Sequence, residues 1–177
     1  MLDLVWPTLP ASLRTELITQ CVKHLKGSPE ESEVFSRIIA DITKSRPQTV
    51  KSQWRMGNVY GTTMAIARDP LRAAPFLAQT FMTARKAEVA AIYDALGVEH
   101  ADLEVSESSA VTSPPTQAQF AKVLQSGIPG LAPGIVECAV ALIADAGIDA
   151  WQAPARGALG AHLATRSTDR PDPSRTH

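Results

Sequence analysis

Apolar side chains recur every three or four residues along most of this chain, and this spacing constrains the fold more than any other feature. Near the N-terminus, Leu13, Leu17, Cys21 and Leu25 follow one another at intervals of four. Such a period places side chains on one face of an α-helix, whereas a half-buried strand alternates every second residue. Aromatic residues make up only 5% of the chain, and strands rely on aromatic and β-branched side chains. The sequence therefore predicts an all-α protein.

Prolines divide this pattern into separate helices. Pro29, Pro47 and Pro70 each stand where a helix can begin, because proline fits the first helical turn but interrupts later turns. Ser28 and Glu31 have the spacing of a capping box around the first of these prolines. The predicted helices cover residues of about 10–26, 28–43, 47–67, 70–96, 115–126, 132–146 and a short segment from 149.

A chain of 177 residues is long enough to bury a core as one domain. We predict a single helical bundle of six or seven helices over residues 1–164, in which residues 1–9 form an extended arm. Residues 98–114 are acidic, then rich in Ser and Thr, and end in Pro-Pro, which is typical of a linker. Residues 165–177 have the polar composition of a disordered tail.

Three small residues lie four apart on the predicted helix 47–67, namely Gly57, Gly61 and Ala65. A glycine in a helix interior costs about 1 kcal/mol relative to alanine, so a packing benefit or a kink should offset the two glycines. We interpret this row as a helix-packing surface, used for one tight crossing within the fold or for association of two copies.

Charge is distributed unevenly, although the whole chain carries a net charge of only −1. Residues 42–87 carry eight cations with Asp69 as the single carboxylate, which gives a net charge of +7. Residues 88–149 carry nine carboxylates with Lys122 as the single cation, which gives −8. Such asymmetry indicates either an anionic partner for the first segment or an attraction between the two segments of one fold.

One stretch of the basic segment carries a motif, "IADITKSRPQTVKSQW" at residues 39–54. The pair Ile-Ala is followed, after eight residues, by Thr-Val-Lys-Ser. This spacing and these residue types resemble the helix-turn-helix of LuxR-type regulators and of sigma-factor region 4. The resemblance implies that Ala40 lies at the helix crossing and that Val50 and Trp54 are core residues of a recognition helix. These families have a glycine at the turn, where this chain has Lys44.

The resemblance and the charge pattern together give the candidate binding residues. Lysine and arginine bind phosphates, and arginine or glutamine reads base edges. The candidates for contact with nucleic acid or with another acidic partner are Lys44, Arg46, Gln48, Thr49, Lys51, Ser52, Arg55, Arg68 and Arg72.

A structural interpretation of the same stretch stays open. Two helices joined by a proline-containing turn occur in every helical bundle. Ala40 and Val50 would then be ordinary core residues, and the basic side chains would form a solvated face.

Known signatures of metal, cofactor or nucleophile chemistry are missing from the sequence. Cys21 and His24 lie three apart on one helix, but no second Cys/His pair accompanies them, and a structural zinc needs four ligands. Cys138 lies in an apolar helical run, where burial raises rather than lowers a thiol pKa. There is no phosphate loop, dinucleotide fingerprint or nucleophile elbow. We therefore predict no metal and no cofactor, and we find no positive sign of an enzyme.

The main functional prediction is a non-enzymatic helical interaction or regulatory module that binds a macromolecular partner through a basic face at residues 44–86. The alternative is a DNA-binding helix-turn-helix protein that uses the helix at 47–55. An enzyme whose site is assembled from scattered residues is a third class. Two cysteines and the lack of a long apolar run predict an intracellular, cytoplasmic protein with no membrane partner, and the glycine row leaves open a homo-oligomer.

Overall fold

The structure, a computed structural model, describes residues 1–101, 104–105, 113–145 and 149–168. The described part is mostly helical, which confirms the all-α prediction. It contains ten α-helices, more than the six or seven predicted. They are α1 (Leu2–Val5), α2 (Ala11–Leu25), α3 (Pro29–Thr43), α4 (Pro47–Arg55), α5 (Tyr60–Arg68), α6 (Pro70–Ala84), α7 (Lys86–Leu96), α8 (Gln117–Ser126), α9 (Pro133–Asp145) and α10 (Asp149–Thr168).

Helix α9 lies at the centre of the fold. All nine residues from Val136 to Ala144 are buried, including the carboxylate-bearing Glu137. A helix that is apolar all round must be covered on every side, and α9 is covered by α1, α6, α8 and α10. Helices α4 and α5, of nine residues each, pack against α3, and α3 and α5 also contact α2 and α6.

The predicted helix 47–67 is wrong as one continuous element. Gly57 has a φ of +74°, which ends α4 and leaves Met56 to Val59 between α4 and α5. A left-handed residue cannot continue a right-handed helix, and glycine adopts this conformation without a steric penalty. Gly57 therefore lies outside both helices, so Gly57, Gly61 and Ala65 do not form a row on one helix.

The predicted helix 70–96 is also divided. Arg85 has φ −128° and ψ 45°, outside the helical region, and separates α6 from α7. Its guanidinium forms ion pairs with Glu16 of α2 and with Glu88, the latter at 3.3 Å. The pairing with α2 is a long-range contact, which local spacing does not encode.

The N-terminal segment is not the predicted extended arm. Residues Leu2–Val5 form α1, and Trp6–Thr8 form a 3₁₀ turn that accommodates Pro7 in its first positions. Leu2, Val5 and Trp6 are fully buried, and the backbone N–H of Leu2 donates to an Asp145 Oδ at 3.1 Å. The segment thus belongs to the core around α9.

The predicted linker and tail are only partly described. Within 98–114, His100–Ala101 pairs antiparallel with Glu104–Val105, a ladder of two residues per strand. Helix α10 continues to Thr168, past the predicted start of the tail at 165 and with Pro154 inside it. The remaining predicted linker positions, 102–103 and 106–112, and the tail from 169 onward lie outside the described residues.

The N-terminal cap of α3 differs from the prediction as well. Ser28 precedes α3 but makes no side-chain cap bond, and Glu31 accepts a 2.7 Å hydrogen bond from Gln79 of α6 instead. A capping box is present at α8, where the Thr116 hydroxyl and the Gln119 side chain satisfy each other's backbone N–H groups. Gln119 also donates to the Leu96 carbonyl at 2.8 Å, which attaches the start of α8 to the end of α7.

Candidate nucleic-acid interface

A tight turn joins α3 to α4. Lys44, directly after α3, has a φ of +55°, and it is the one non-glycine residue of the described chain with a positive φ. The next N–H, from Ser45, donates to the Ala40 carbonyl at 2.9 Å, which is the long bond of a Schellman motif. Arg46 is extended, and Pro47 then opens α4. Three residues therefore reverse the chain between the two helices.

Two residues anchor α4 to the core. Val50 and Trp54, one turn apart, are 3% and 5% exposed. The Trp54 ring stacks on Phe35 of α3 with 5.6 Å between the ring centroids. Its Nε1–H donates to the buried hydroxyl of Thr62 on α5 at 2.8 Å. Trp54 thus fixes the orientation of α4 against both neighbouring helices.

The opposite face of α4 is open to solvent. Gln48, Thr49, Ser52 and Arg55 are all exposed. None of their side chains forms a hydrogen bond or ion pair with another residue in the described part of the chain. Their spacing of three and four residues along the helix places them together on one side. Four of the candidate residues are therefore brought together with their polar groups free.

Lys51 lies beside this face and is engaged elsewhere. It is a quarter exposed, and its ammonium group forms an ion pair with Glu33 of α3. Glu33 also accepts a 2.9 Å hydrogen bond from Arg37. The hydrogen bonds from Lys51 and then Arg37 lower the pKa of the Glu33 carboxyl below its usual value. Lys51 therefore contributes to the attachment of α4 to α3.

Two further candidate cations share one carboxylate. Arg72 donates to Asp41 at 2.6 Å, and the Lys44 ammonium lies 3.8 Å from the same carboxyl group. The hydrogen bond from Arg72, followed by the charges of Lys44 and Arg72, lowers the pKa of Asp41. The Lys44 side chain is still 85% exposed, so its charge remains accessible to solvent.

The other candidate cations have no ion-pair partner among the described residues. Arg46 and Arg68 are exposed, and neither forms an ion pair with a residue that the structure describes. Among the ion pairs that the structure describes for the basic segment, most of the carboxylate partners belong to α2 and α3, and Glu88 is a partner from the acidic segment 88–149. These described pairs therefore join the basic segment mainly to α2 and α3.

Sequence reasoning missed Thr62, which holds the Trp54 indole. Thr62 follows Trp54 by eight residues. In a continuous helix over 47–67 the two residues would be about two turns apart, so their spacing does not predict a hydrogen bond. The signal that finds it is the break at Gly57, which folds α5 back beside α4.

The residues that the structure describes hold no group of three or more His, Cys, Asp or Glu side chains placed to bind a metal ion. Within the same residues, no helix combines the length and the apolar character needed to cross a membrane. Burial raises the pKa of the thiols of Cys21 and Cys138 to about 11 and about 12, respectively, which disfavours the nucleophilic thiolate.

Comparison of the chain with protein-family models, curated proteins and solved structures finds no match.

Proposed function

We propose that this protein is a non-enzymatic binding module for an acidic macromolecule, and that the partner is duplex DNA with α4 as the reading helix. One observation carries the proposal. Helix α4 buries Val50 and Trp54 while it presents Gln48, Thr49, Ser52 and Arg55 to solvent, with their side chains unpaired to any residue that the structure describes.

The chemistry of this face suits a DNA groove. The major groove of B-DNA is about 12 Å wide and admits one α-helix. Arginine donates to guanine, glutamine pairs with adenine, and serine or threonine bonds to either. Arg46 at the start of α4 and the exposed Lys44 supply cations for the phosphate backbone, which provides most of the non-specific affinity. The left-handed Lys44 occupies the turn position that the LuxR-type and sigma families fill with glycine, which supports the resemblance.

The first test measures binding of the whole chain to a fluorescent random-sequence duplex over a series of salt concentrations. We expect affinity to fall as salt rises, because cations on the protein displace counterions from DNA. The variant K44A/R46A should weaken binding and reduce the salt slope by about two, roughly one for each lost phosphate contact. K122A, which removes an exposed cation from α8, is the matched control and should bind like the parent.

The second test separates base reading from phosphate binding. Selection of duplexes from a random library should yield a preferred sequence for the parent, and Q48A/T49A should relax that preference while non-specific affinity stays the same. Absence of salt-dependent duplex binding, or an equal loss in K122A, would refute the DNA proposal.

A second candidate is an acidic protein partner, and a specific observation favours it. Four large apolar side chains near α5 are exposed, with Met56 and Tyr60 at 73% and 72%, and Met64 and Leu71 at 41% and 57%. Exposed apolar side chains of this size, on and beside the helix that carries the exposed cation Arg68, suit the apolar stripe and acidic flank of an amphipathic helix.

This second candidate has its own test. A synthetic amphipathic helix with leucine on one face and glutamate on its flanks should bind the parent, and Y60D/L71D should abolish that binding while DNA binding persists. Sedimentation that shows a concentration-dependent dimer, lost in the same variant, would assign these side chains to a second copy of the chain instead.

A further inference from the structure

A cleft opens between the end of α2, the start of α3 and one side of α4. Its volume is about 290 Å³. Pro29 is its exposed apolar lining residue, beside the largely buried Leu25 and Trp54, and its polar lining residues are Ser32, Lys26, Lys51 and Arg55. The Trp54 ring stacks on Phe35, which attaches the α4 side of the cleft to α3.

The charge of this cleft is one-sided. Three cations line it, and none of its lining residues is a carboxylate. Lys26 and Arg55 are exposed and have no ion-pair partner among the residues described, while Lys51 is paired with Glu33 outside the cleft. The hydroxyl of Ser32 likewise makes no hydrogen bond to a described residue. Like charges that share a small cleft repel one another, so an anion placed among them is stabilised.

The dimensions and walls define the ligand class. A volume near 300 Å³ is at the small end of sites for organic molecules. Several donors that converge from different helices favour an oxyanion with several acceptor oxygens, and an arginine binds phosphate through two parallel N–H groups. The apolar walls favour a compact apolar body on the same molecule. A phosphate monoester carries nearly two negative charges at neutral pH and matches the charges of Lys26 and Arg55 better than a single carboxylate does.

We propose that this cleft binds a small phosphate monoester with a compact apolar or aromatic body. Lys26 and Arg55 hold the phosphate from different elements, Ser32 donates its hydroxyl, and the apolar body lies against Pro29 and the exposed edges of Leu25 and Trp54. Because Arg55 also belongs to the exposed face of α4, the ligand competes with duplex DNA for this side chain; this consequence alone rests on the proposed function.

The test titrates the ¹⁵N-labelled full chain with phenyl phosphate and follows the indole N–H of Trp54 together with the amides around Lys26. We expect saturable shifts confined to the ends of α2 and α4 and the start of α3. Inorganic phosphate and phenol each provide half of the ligand. Each should bind at least about tenfold more weakly than phenyl phosphate, because each lacks one set of contacts. K26A/R55A should lose at least about tenfold in affinity, as expected for two charge-assisted hydrogen bonds.

The matched control is K23A, which removes an exposed cation from the same helix outside the cleft and should leave affinity unchanged. All substituted side chains are exposed, and thermal unfolding verifies that the variants fold. Absence of saturable shifts, equal binding of phenol, or full affinity in K26A/R55A would overturn the site. Binding of benzoate as tight as that of phenyl phosphate would overturn its assignment to phosphate. Phenyl phosphate binding without any duplex binding would refute the DNA proposal and leave this site standing.

Discussion

Lys44 sets the angle between α3 and α4 through its backbone. A residue with a Cβ atom pays about 1–2 kcal/mol to adopt the left-handed conformation, and asparagine or glycine usually fills such a position. Retaining lysine here keeps a cation at the turn, with 85% of its side chain exposed beside the candidate interface. We interpret this residue as a compromise between stability and charge.

Lys44→Gly tests that compromise. The substitution should raise the free energy of unfolding by about 0.5–1 kcal/mol, because relief of backbone strain exceeds the extra entropy of glycine in the unfolded chain. Lys44→Ala removes the same charge but keeps the Cβ atom, so it should leave stability nearly unchanged; the exposed pair with Asp41 contributes little. Urea denaturation of both variants measures the difference. Equal effects of the two substitutions would show that the backbone conformation carries no cost.

The two cysteines give the protein a pH dependence in the alkaline range. Burial raises the thiol pKa from 9.0 to about 11 for Cys21 and to about 12 for Cys138. A raised pKa means that the folded chain keeps protons which the unfolded chain releases above pH 9. Stability is therefore complete below pH 9 and falls by about 1.4 kcal/mol per thiol for each further pH unit until the folded pKa is reached.

Chemical denaturation at pH 8, 9 and 10 measures this slope. C21A/C138A should be less stable than the parent at pH 8, because two buried side chains are shortened, but its stability should decline less between pH 9 and 10. Equal slopes in the parent and the variant would contradict the assignment to the thiols.

At the scale of elements, Trp54 decides whether α4 stays in place. The helix has only nine residues, too few for stability on propensity alone, so its position depends on tertiary contacts. The stack on Phe35 and the hydrogen bond to Thr62 come from two different helices. Loss of either contact should make the position of α4, which carries the candidate binding residues, less well defined.

A double-mutant cycle tests the hydrogen bond. Trp54→Phe and Thr62→Val should each lower the free energy of unfolding by about 1–3 kcal/mol, because each leaves one buried polar group without its partner. The double variant should lose clearly less unfolding free energy than the two single losses added together, since neither polar group then remains. Additive losses would show that the 2.8 Å contact contributes no coupling energy. Duplex binding, measured in parallel, should weaken with the single substitutions.

Local sequence signals predicted the helix starts better than the breaks. Pro29, Pro47 and Pro70 each open a helix as expected, because proline restricts its own φ and requires no distant partner. The break at Gly57 was hidden by the apolar period that continues across it. The break at Arg85 has no local breaker and coincides with a contact to α2.

The candidate interface likewise combines features that the local sequence predicts with contacts that it does not. The resemblance to the helix-turn-helix families implied that Val50 and Trp54 are core residues, and both are buried. The engagement of Lys51 by Glu33, 18 residues earlier, could not be predicted, because ion pairs between helices depend on how the helices pack. Lys26 was overlooked for a similar reason, since it precedes the basic segment and joins the cleft only through the fold.

For the whole molecule, the attachment of α10 to the central helix α9 depends on a buried carboxylate. Glu137 is 2% exposed, and it accepts hydrogen bonds from His162 at 3.0 Å and from Arg166. A buried charge is stable only while it is paired, whereas a partner at the surface regains water when the pair is lost. The cost of breaking this network should therefore depend on which side is removed.

The variant H162A/R166A should lower the free energy of unfolding by about 3–5 kcal/mol, because it leaves the Glu137 carboxylate buried without a cation. Addition of Glu137→Leu to that variant should restore most of the loss, since an apolar side chain of similar size needs no partner. Thermal and urea unfolding of the three chains measures both steps. If the triple variant is no more stable than the double one, the loss arises from packing of α10 and not from the buried charge. If the double variant unfolds like the parent, α10 is held by its apolar contacts alone, and the Glu137 network makes no net contribution to the fold.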